Sequence, residues 1–403
     1  MQLSINLKRL IRTDLGMALL IILIWKIILT SLGYILDTRL PIETSGLFTH
    51  MPEGLLGHTL RWDAGWYLEI IRSSFYQQTS SQGAVFAFYP LYPLLVGALS
   101  ALSLGALDLP TASFIINTLA SILIVVALIR ITRLLGASTE LARIASLIFI
   151  ASPAAFFLHV FYSEAVFIAL GAWAYLFALR RQWGYMCLLL VPLTAARLPA
   201  VLFLGLCALE YLRAHQWNFR QTLKLRSTLW FLVTPLGFLS YSAWCYYVTG
   251  DPLAMFHAYK APDGWTYQVF NPNVLSTMFH SVVFSLEKLL AGEVTKLLIV
   301  NYLLPIASLT ILTAGSLWSI FAKKGVGIPL GAFGLVAALM FTLNSNLVSV
   351  HRYILACIPL FVICSLFLTR HPHLKQIIYV LIPVMFALQL GLYTLFIAGY
   401  FAG

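Results

Sequence analysis

Residues 111–130 read TASFIINTLASILIVVALIR, an apolar block whose only charge is its last residue, Arg130. About 20 mostly apolar residues in a helix cross the hydrocarbon core of a bilayer. Blocks of the same kind lie near 15–36, 141–158 and 162–180, and again near 228–248, 298–320, 328–345, 353–369 and 376–399. Of the 403 residues, 61% are hydrophobic and only 10% are charged. A soluble domain of that composition would lack the polar surface to cover itself. The expectation is an all-α integral membrane protein, a polytopic bundle with the bilayer as its solvent.

One further apolar stretch, 184–212, is interrupted by Ala196-Arg197-Leu198-Pro199. Proline ends or kinks a helix at the preceding residue, so the stretch reads as two short helices meeting at Arg197. Read in this way the chain makes about eleven crossings. Sixteen of its 25 basic residues, Lys8, Arg9, Arg12, Arg130, Arg133, Arg143, Arg180, Arg181, Arg213, Arg220, Lys224, Arg226, Lys323, Lys324, Arg370 and Lys375, then fall in alternate connections. Only Asp14, Glu140 and Glu210 accompany them there. The positive-inside rule makes those connections, and the N-terminus, cytoplasmic. The net charge of +11 is therefore a membrane-orientation signal, and no nucleic-acid partner is implied. A full crossing at 84–104 would invert this pattern, so that segment, opening with Phe88-Tyr89-Pro90-Leu91-Tyr92-Pro93, reads as a juxtamembrane or hairpin element. The first apolar block is too long for a cleaved signal and reads as an anchor. Cys187, Cys207, Cys245, Cys357 and Cys364 sit in apolar stretches without metal-like spacing and read as packing residues. No Asn-x-Ser/Thr sequon occurs, which favours a bacterial plasma membrane over an endoplasmic reticulum. The whole of 1–403 reads as one integral domain.

Function in such a chain is sought where costly polar groups gather, and here they gather on the external side. The long connection 37–110 carries Leu60-Arg61-Trp62-Asp63-Ala64-Gly65-Trp66-Tyr67. Spacing alone reads Asp63 as a helix N-cap; the alternative is an interfacial carboxylate among aromatics. His159-Val160-Phe161-Tyr162-Ser163-Glu164 is the second external group, where Ser163 can cap a helix and Glu164 can favour its positive end. Arg197, at depth, either meets an anionic partner or snorkels to the surface. His257 and Lys260 lie three residues apart beyond the Gly250-Asp251-Pro252 turn, on a solvated face or at a site. The last group is His351-Arg352-Tyr353. An arginine at a helix N-terminus is opposed by the helix dipole, which a shared phosphate would relieve; interfacial anchoring is the rival reading.

The order of these motifs resembles a known family. Arg61-Trp62-Asp63-Ala64, Phe86-Ala87-Phe88-Tyr89-Pro90-Leu91-Tyr92-Pro93-Leu94, Ser152-Pro153-Ala154-Ala155-Phe156-Phe157, Tyr162-Ser163-Glu164-Ala165, Ala195-Ala196-Arg197 and His351-Arg352-Tyr353 together resemble the PIG-V mannosyltransferases. The resemblance implies a GT-C glycosyltransferase that takes mannose from a polyprenyl-phosphate donor, dolichyl-phosphate-like, to a lipid-linked or glycolipid acceptor, with inversion, on the external face. The implied catalytic residues are Asp63, in the external catalytic loop, as base and Glu164, which would orient Asp63, a sugar hydroxyl or an arginine. Arg61, Trp62, Tyr162, Arg197, His257, Lys260, His351, Arg352 and Tyr353 are the candidates for holding substrate and phosphate. Partners are then the sugar donor, the acceptor and membrane lipids. No carboxylate cluster demands a metal, although Asp63 with Glu164 leaves a weakly bound divalent ion open. Trp66-Tyr67 and Arg197-Leu198-Pro199-Ala200 depart from the family's eukaryotic pattern, which bears on the acceptor. Rival readings are a GT-C transferase of another sugar, a polytopic lipid or sugar transporter, and a non-catalytic subunit.

Overall fold

The computed structural model describes residues 13–40, 54–265, 268–322 and 325–403, and no strand occurs among them. Lys8, Arg9, Arg12, Lys323 and Lys324 lie outside the described residues. The principal helices are α1 (Asp14–Asp37), α2 (Ala64–Arg72), α3 (Leu91–Leu102), α4 (Leu109–Leu134), α5 (Thr139–Ala151), α6 (Glu164–Leu179) and α7 (Trp183–Thr194). They continue with α8 (Ala200–Ala214), α9 (Leu236–Thr249), α10 (Val274–Leu290), α11 (Lys296–Ala322), α12 (Gly327–Phe341), α13 (Ile358–Arg370) and α14 (Lys375–Ile397). Around the buried α4 pack α1, α5 and α6, while α11 and α12 form a second closely packed pair against α8 and α13.

Among the described residues α1, α4, α11 and the segment Pro372–Ile397 are long and apolar enough to cross a membrane. Val350–Ala356 and α13, bent by 73° at their junction, form a broken fifth candidate. Helix length alone thus supports fewer crossings than hydropathy suggests, and at three places the break is made by proline. The block 141–158 stops being helical at Ala151 because Ser152-Pro153 follows. Pro235 divides 228–248 into the 3-10 segment Arg226–Val233 and α9. The break within 184–212 falls where Pro199 stands, with Arg197 in it. The helix α3 has 12 residues and is about 18 Å long, well short of a hydrocarbon core of about 30 Å. Hydropathy overlooks α10 altogether: its inward face is Thr277, Ser281 and Ser285, while Leu275, Phe279 and Leu290 are exposed.

Irregular chain at depth needs its carbonyls satisfied from within the protein. Between α5 and α6 that is done by side chains from three other helices. Lys26 donates to the Leu158 carbonyl at 2.9 Å, Asn117 to that of Val160 at 2.7 Å, and Gln389 to those of Ile150 and Ser152 at 2.9 and 2.6 Å. Phe156, Phe157 and Phe161 fill the space around this segment and are fully buried. Its far end delivers Tyr162, Ser163 and Glu164. Polar pairs occupy both ends of the bundle. At one end of α1 Asp14 meets Arg130 and Arg133; at the other, about 36 Å away, Asp37 meets Arg61.

Candidate active site

Asp63 does stand at the N-cap of α2, but its side chain makes no capping bond there. Its Oδ2 instead accepts from Arg352 Nη1 at 2.7 Å, across 289 residues of sequence. Ser163 likewise occupies the N-cap of α6 without capping it. Its hydroxyl accepts from Arg197 at 3.1 Å and pairs with the Tyr67 hydroxyl at 2.7 Å. Glu164 Oε1 receives both Arg352 Nε and Arg197 Nη1, each at 2.6 Å. The Arg352 guanidinium also lies over the rings of Tyr162 and Phe157, at 4.6 and 4.8 Å. Two arginines and two carboxylates thus neutralise one another in a place where any one alone would be costly.

The four are not equally accessible. The Asp63 side chain is 26% exposed against 5% for Arg352 and Glu164, so Asp63 is the carboxylate that an incoming molecule meets. Its position is fixed from behind: the Tyr162 hydroxyl accepts from the Asp63 N–H at 3.0 Å and donates to the Arg61 carbonyl at 3.1 Å. Glu164 keeps one buried oxygen, Oε2, without a partner among the described residues.

Asp63, Arg197, Arg352, Trp62 and Tyr353 line a cleft of about 510 Å³. One wall is aromatic. Phe88 lies nearly parallel to Trp66 on one side and Trp265 on the other, at 5.6 and 6.2 Å, and Tyr259 packs against Trp265 at 4.8 Å. Asn301, Asn344 and Asn346 also line the cleft. Asn301 enters from a π-helical turn at the start of α11, a distortion that often marks functional sites. Asp263 ties the aromatic loop down, accepting from Ser81 Oγ at 2.5 Å and from the Gln82 and Ala84 N–H groups at 2.7 and 3.1 Å. Partial burial works against its charge, but the bonds from Ser81, Ala84 and Gln82 outweigh it and hold the carboxyl below its ordinary value.

The other candidates fall around this centre. Arg61 pairs with Asp37 and donates to the carbonyls of Gly57 and Leu60, so it braces the loop from behind. His351 is buried against the Ala402 carbonyl at 3.0 Å. His257 and Lys260 do not join the cleft. A 3-10 turn, Ala258–Lys260, ends the helix after His257, leaving His257 exposed on Asp251 at 2.6 Å and Lys260 exposed in solvent. Among the described residues no group of three or more His, Cys, Asp or Glu side chains could hold a metal ion. Sequence reading missed Asn301, Tyr259, Asp263, Trp265 and Phe401 as lining residues. For Asn301 a signal existed, a lone amide at the start of an apolar block.

Residues 9–263 match the model of the family described as Mannosyltransferase (PIG-V). The chain belongs to this mannosyltransferase family. Asp63, Glu164 and Arg197 fall within the matched region, whereas Arg352 lies beyond it. The fold is that of GT-C membrane glycosyltransferases. ArnT from Cupriavidus metallidurans, solved bound to undecaprenyl phosphate, aligns with a TM-score of 0.52 and 12% identity over 86% of this chain. The Archaeoglobus fulgidus oligosaccharyltransferase, solved with Zn and sulfate, aligns with a TM-score of 0.50 and 13% identity over 94% of it. This chain spans 60% and 53% of the lengths of those two proteins. No curated protein matches the sequence.

Proposed function

We propose that this PIG-V family member transfers mannose from a polyprenyl-phosphate donor to a lipid-linked or glycolipid acceptor, with inversion, on the external face of a bacterial plasma membrane. The observation that carries the reading is the meeting of Asp63 and Arg352 at 2.7 Å in a cleft that also exposes Arg197. Family membership supports the sugar, and the ArnT structure with undecaprenyl phosphate, a fold neighbour, supports the class of lipid carrier. The acceptor hydroxyl attacks the anomeric carbon as the bond from that carbon to the phosphate oxygen breaks. Its proton passes to Asp63, a step worth about 10²- to 10⁴-fold. The departing lipid phosphate is a good leaving group and needs charge stabilisation instead of an acid, which Arg352 and Arg197 supply. Glu164 holds both guanidiniums in register.

A panel of polyprenyl-phosphate sugars offered to membranes carrying the protein tests the donor. Transfer from the mannosyl donor alone is the expected result; turnover of another sugar, with none of mannose, would overturn it.

A further inference from the structure

We propose that residues 397–402, which follow and end α14, clamp the Asp63 and Arg352 pair in its working position by holding the residue that precedes each member. The proposal rests on the reading of that pair as the transfer site. Trp62 precedes Asp63. Its indole N–H donates to the Tyr400 carbonyl at 3.2 Å, and its ring meets Phe401 edge-on with centroids 5.3 Å apart. His351 precedes Arg352, and its Nε2 donates to the Ala402 carbonyl at 3.0 Å. Arg61 adds a third bond, from Nε to the Ile397 carbonyl at 3.3 Å. Carbonyls of one short segment thus receive donors from two loops that are almost 300 residues apart in the chain and that supply the two halves of the ion pair.

Both loops need holding. Trp62 has φ of 54° and Ser349, at the start of the short helix that carries Arg352, has φ of 67°. Left-handed backbone at residues other than glycine persists only where its surroundings over-determine it, and such residues cluster at active sites. The clamp supplies that constraint. His351 and Ala402 are buried, so their bond forms away from competing water. Trp62 and His351 therefore act as positioning residues through Asp63 and Arg352, with their ring donors already engaged by the clamp. The segment lies outside residues 9–263, so nothing in the family match accounts for it.

The test measures kcat and KM for transfer from polyprenyl-phosphate mannose in Trp62→Phe, His351→Leu, His351→Gln, a chain ending at Gly399, and the combination of Trp62→Phe with that shortened chain. Loss of one clamp bond is expected to lower kcat about tenfold in Trp62→Phe and His351→Leu, with donor KM changed less than about twofold. His351→Gln keeps a donor and is expected to stay within about threefold of wild type. In the chain ending at Gly399, Trp62→Phe is expected to have no further effect, because its acceptor has gone. Effects that simply multiply in this cycle, or a wild-type kcat for the shortened chain, would overturn the clamp. Should the shortened chain not fold, His351→Gln and His351→Leu decide alone, and equal kcat values for the two overturn it. Asp63→Asn is the control: if it transfers normally, the reading of the site falls, whereas an inactive Asp63→Asn with a multiplicative cycle removes only the clamp.

Discussion

Two buried polar clusters lie side by side in this bundle, and only one of them has the makings of chemistry. The first is Asp63, Glu164, Arg197 and Arg352, four charges locked together at the edge of an open cleft. The second is Lys26, His58, His159 and Tyr393, of which none lines that cleft. Lys26 donates to the Leu158 carbonyl and lies 5.1 Å from the Phe114 ring; His58 and His159 approach through their Nε2 atoms at 3.5 Å. This second cluster braces the segment that leads to Glu164. The difference is one of stakes. Buried polar groups bonded to carbonyls and rings form a strut, whereas paired opposite charges beside a cavity are poised to meet a charged substrate.

Substitutions at the two clusters should therefore part company. Arg352→Leu leaves Asp63 without its cation and Glu164 with Arg197 alone, at a cost of about 3–5 kcal/mol. It should abolish transfer and reduce folded yield, measured by size-exclusion profile and donor turnover. Glu164→Gln removes one carboxylate but keeps an acceptor for the two guanidiniums. A fall in kcat of about ten- to a hundredfold is expected, with the folded protein retained, as read from turnover and thermal melting.

The strut cluster should instead answer to pH through stability. Burial and the nearby Arg61 charge lower the His58 pKa from 6.5 to about 4, so His58 is neutral in the folded protein while the unfolded chain gains a proton below about 6.5. Its contribution is full above that pH and is lost as pH falls toward 4. The loss is on the order of 3 kcal/mol. Melting temperature in detergent should drop across that window, and less so in His58→Asn. Smallest of all should be Lys26→Met, which removes one hydrogen bond worth about 1 kcal/mol. Transfer should stay within about threefold of wild type; an inactive but folded Lys26→Met would erase the distinction between the clusters.

The bilayer class and the clustering of polar motifs at one end were legible in the sequence because apolar blocks and charge placement are long-range, additive signals. Helix breaks were legible where proline met an arginine, as at 196–199, and not where a proline stood alone inside an apolar run, as at Pro153 and Pro235. Spacing left Asp63 between a cap and a site, since only the fold shows that Arg352 takes its carboxylate. Spacing left His257 and Lys260 between a solvated face and a site, and a single 3-10 turn directs them away from the cleft. Of the aromatic wall, Trp66 and Phe88 stood in the motifs, but in a chain with 14% aromatic residues Tyr259 and Trp265 cannot be told from packing until the fold gathers them.

The most direct test of the site is mannose transfer by Asp63→Asn, measured at saturating polyprenyl-phosphate mannose beside wild type at equal amounts of folded protein. The asparagine keeps the shape and an acceptor for Arg352 but cannot take the acceptor's proton. A fall in kcat of about 10²- to 10⁴-fold is the predicted result. Transfer at the wild-type rate would show that the proton goes elsewhere and that the pairing of Asp63 with Arg352 is structural.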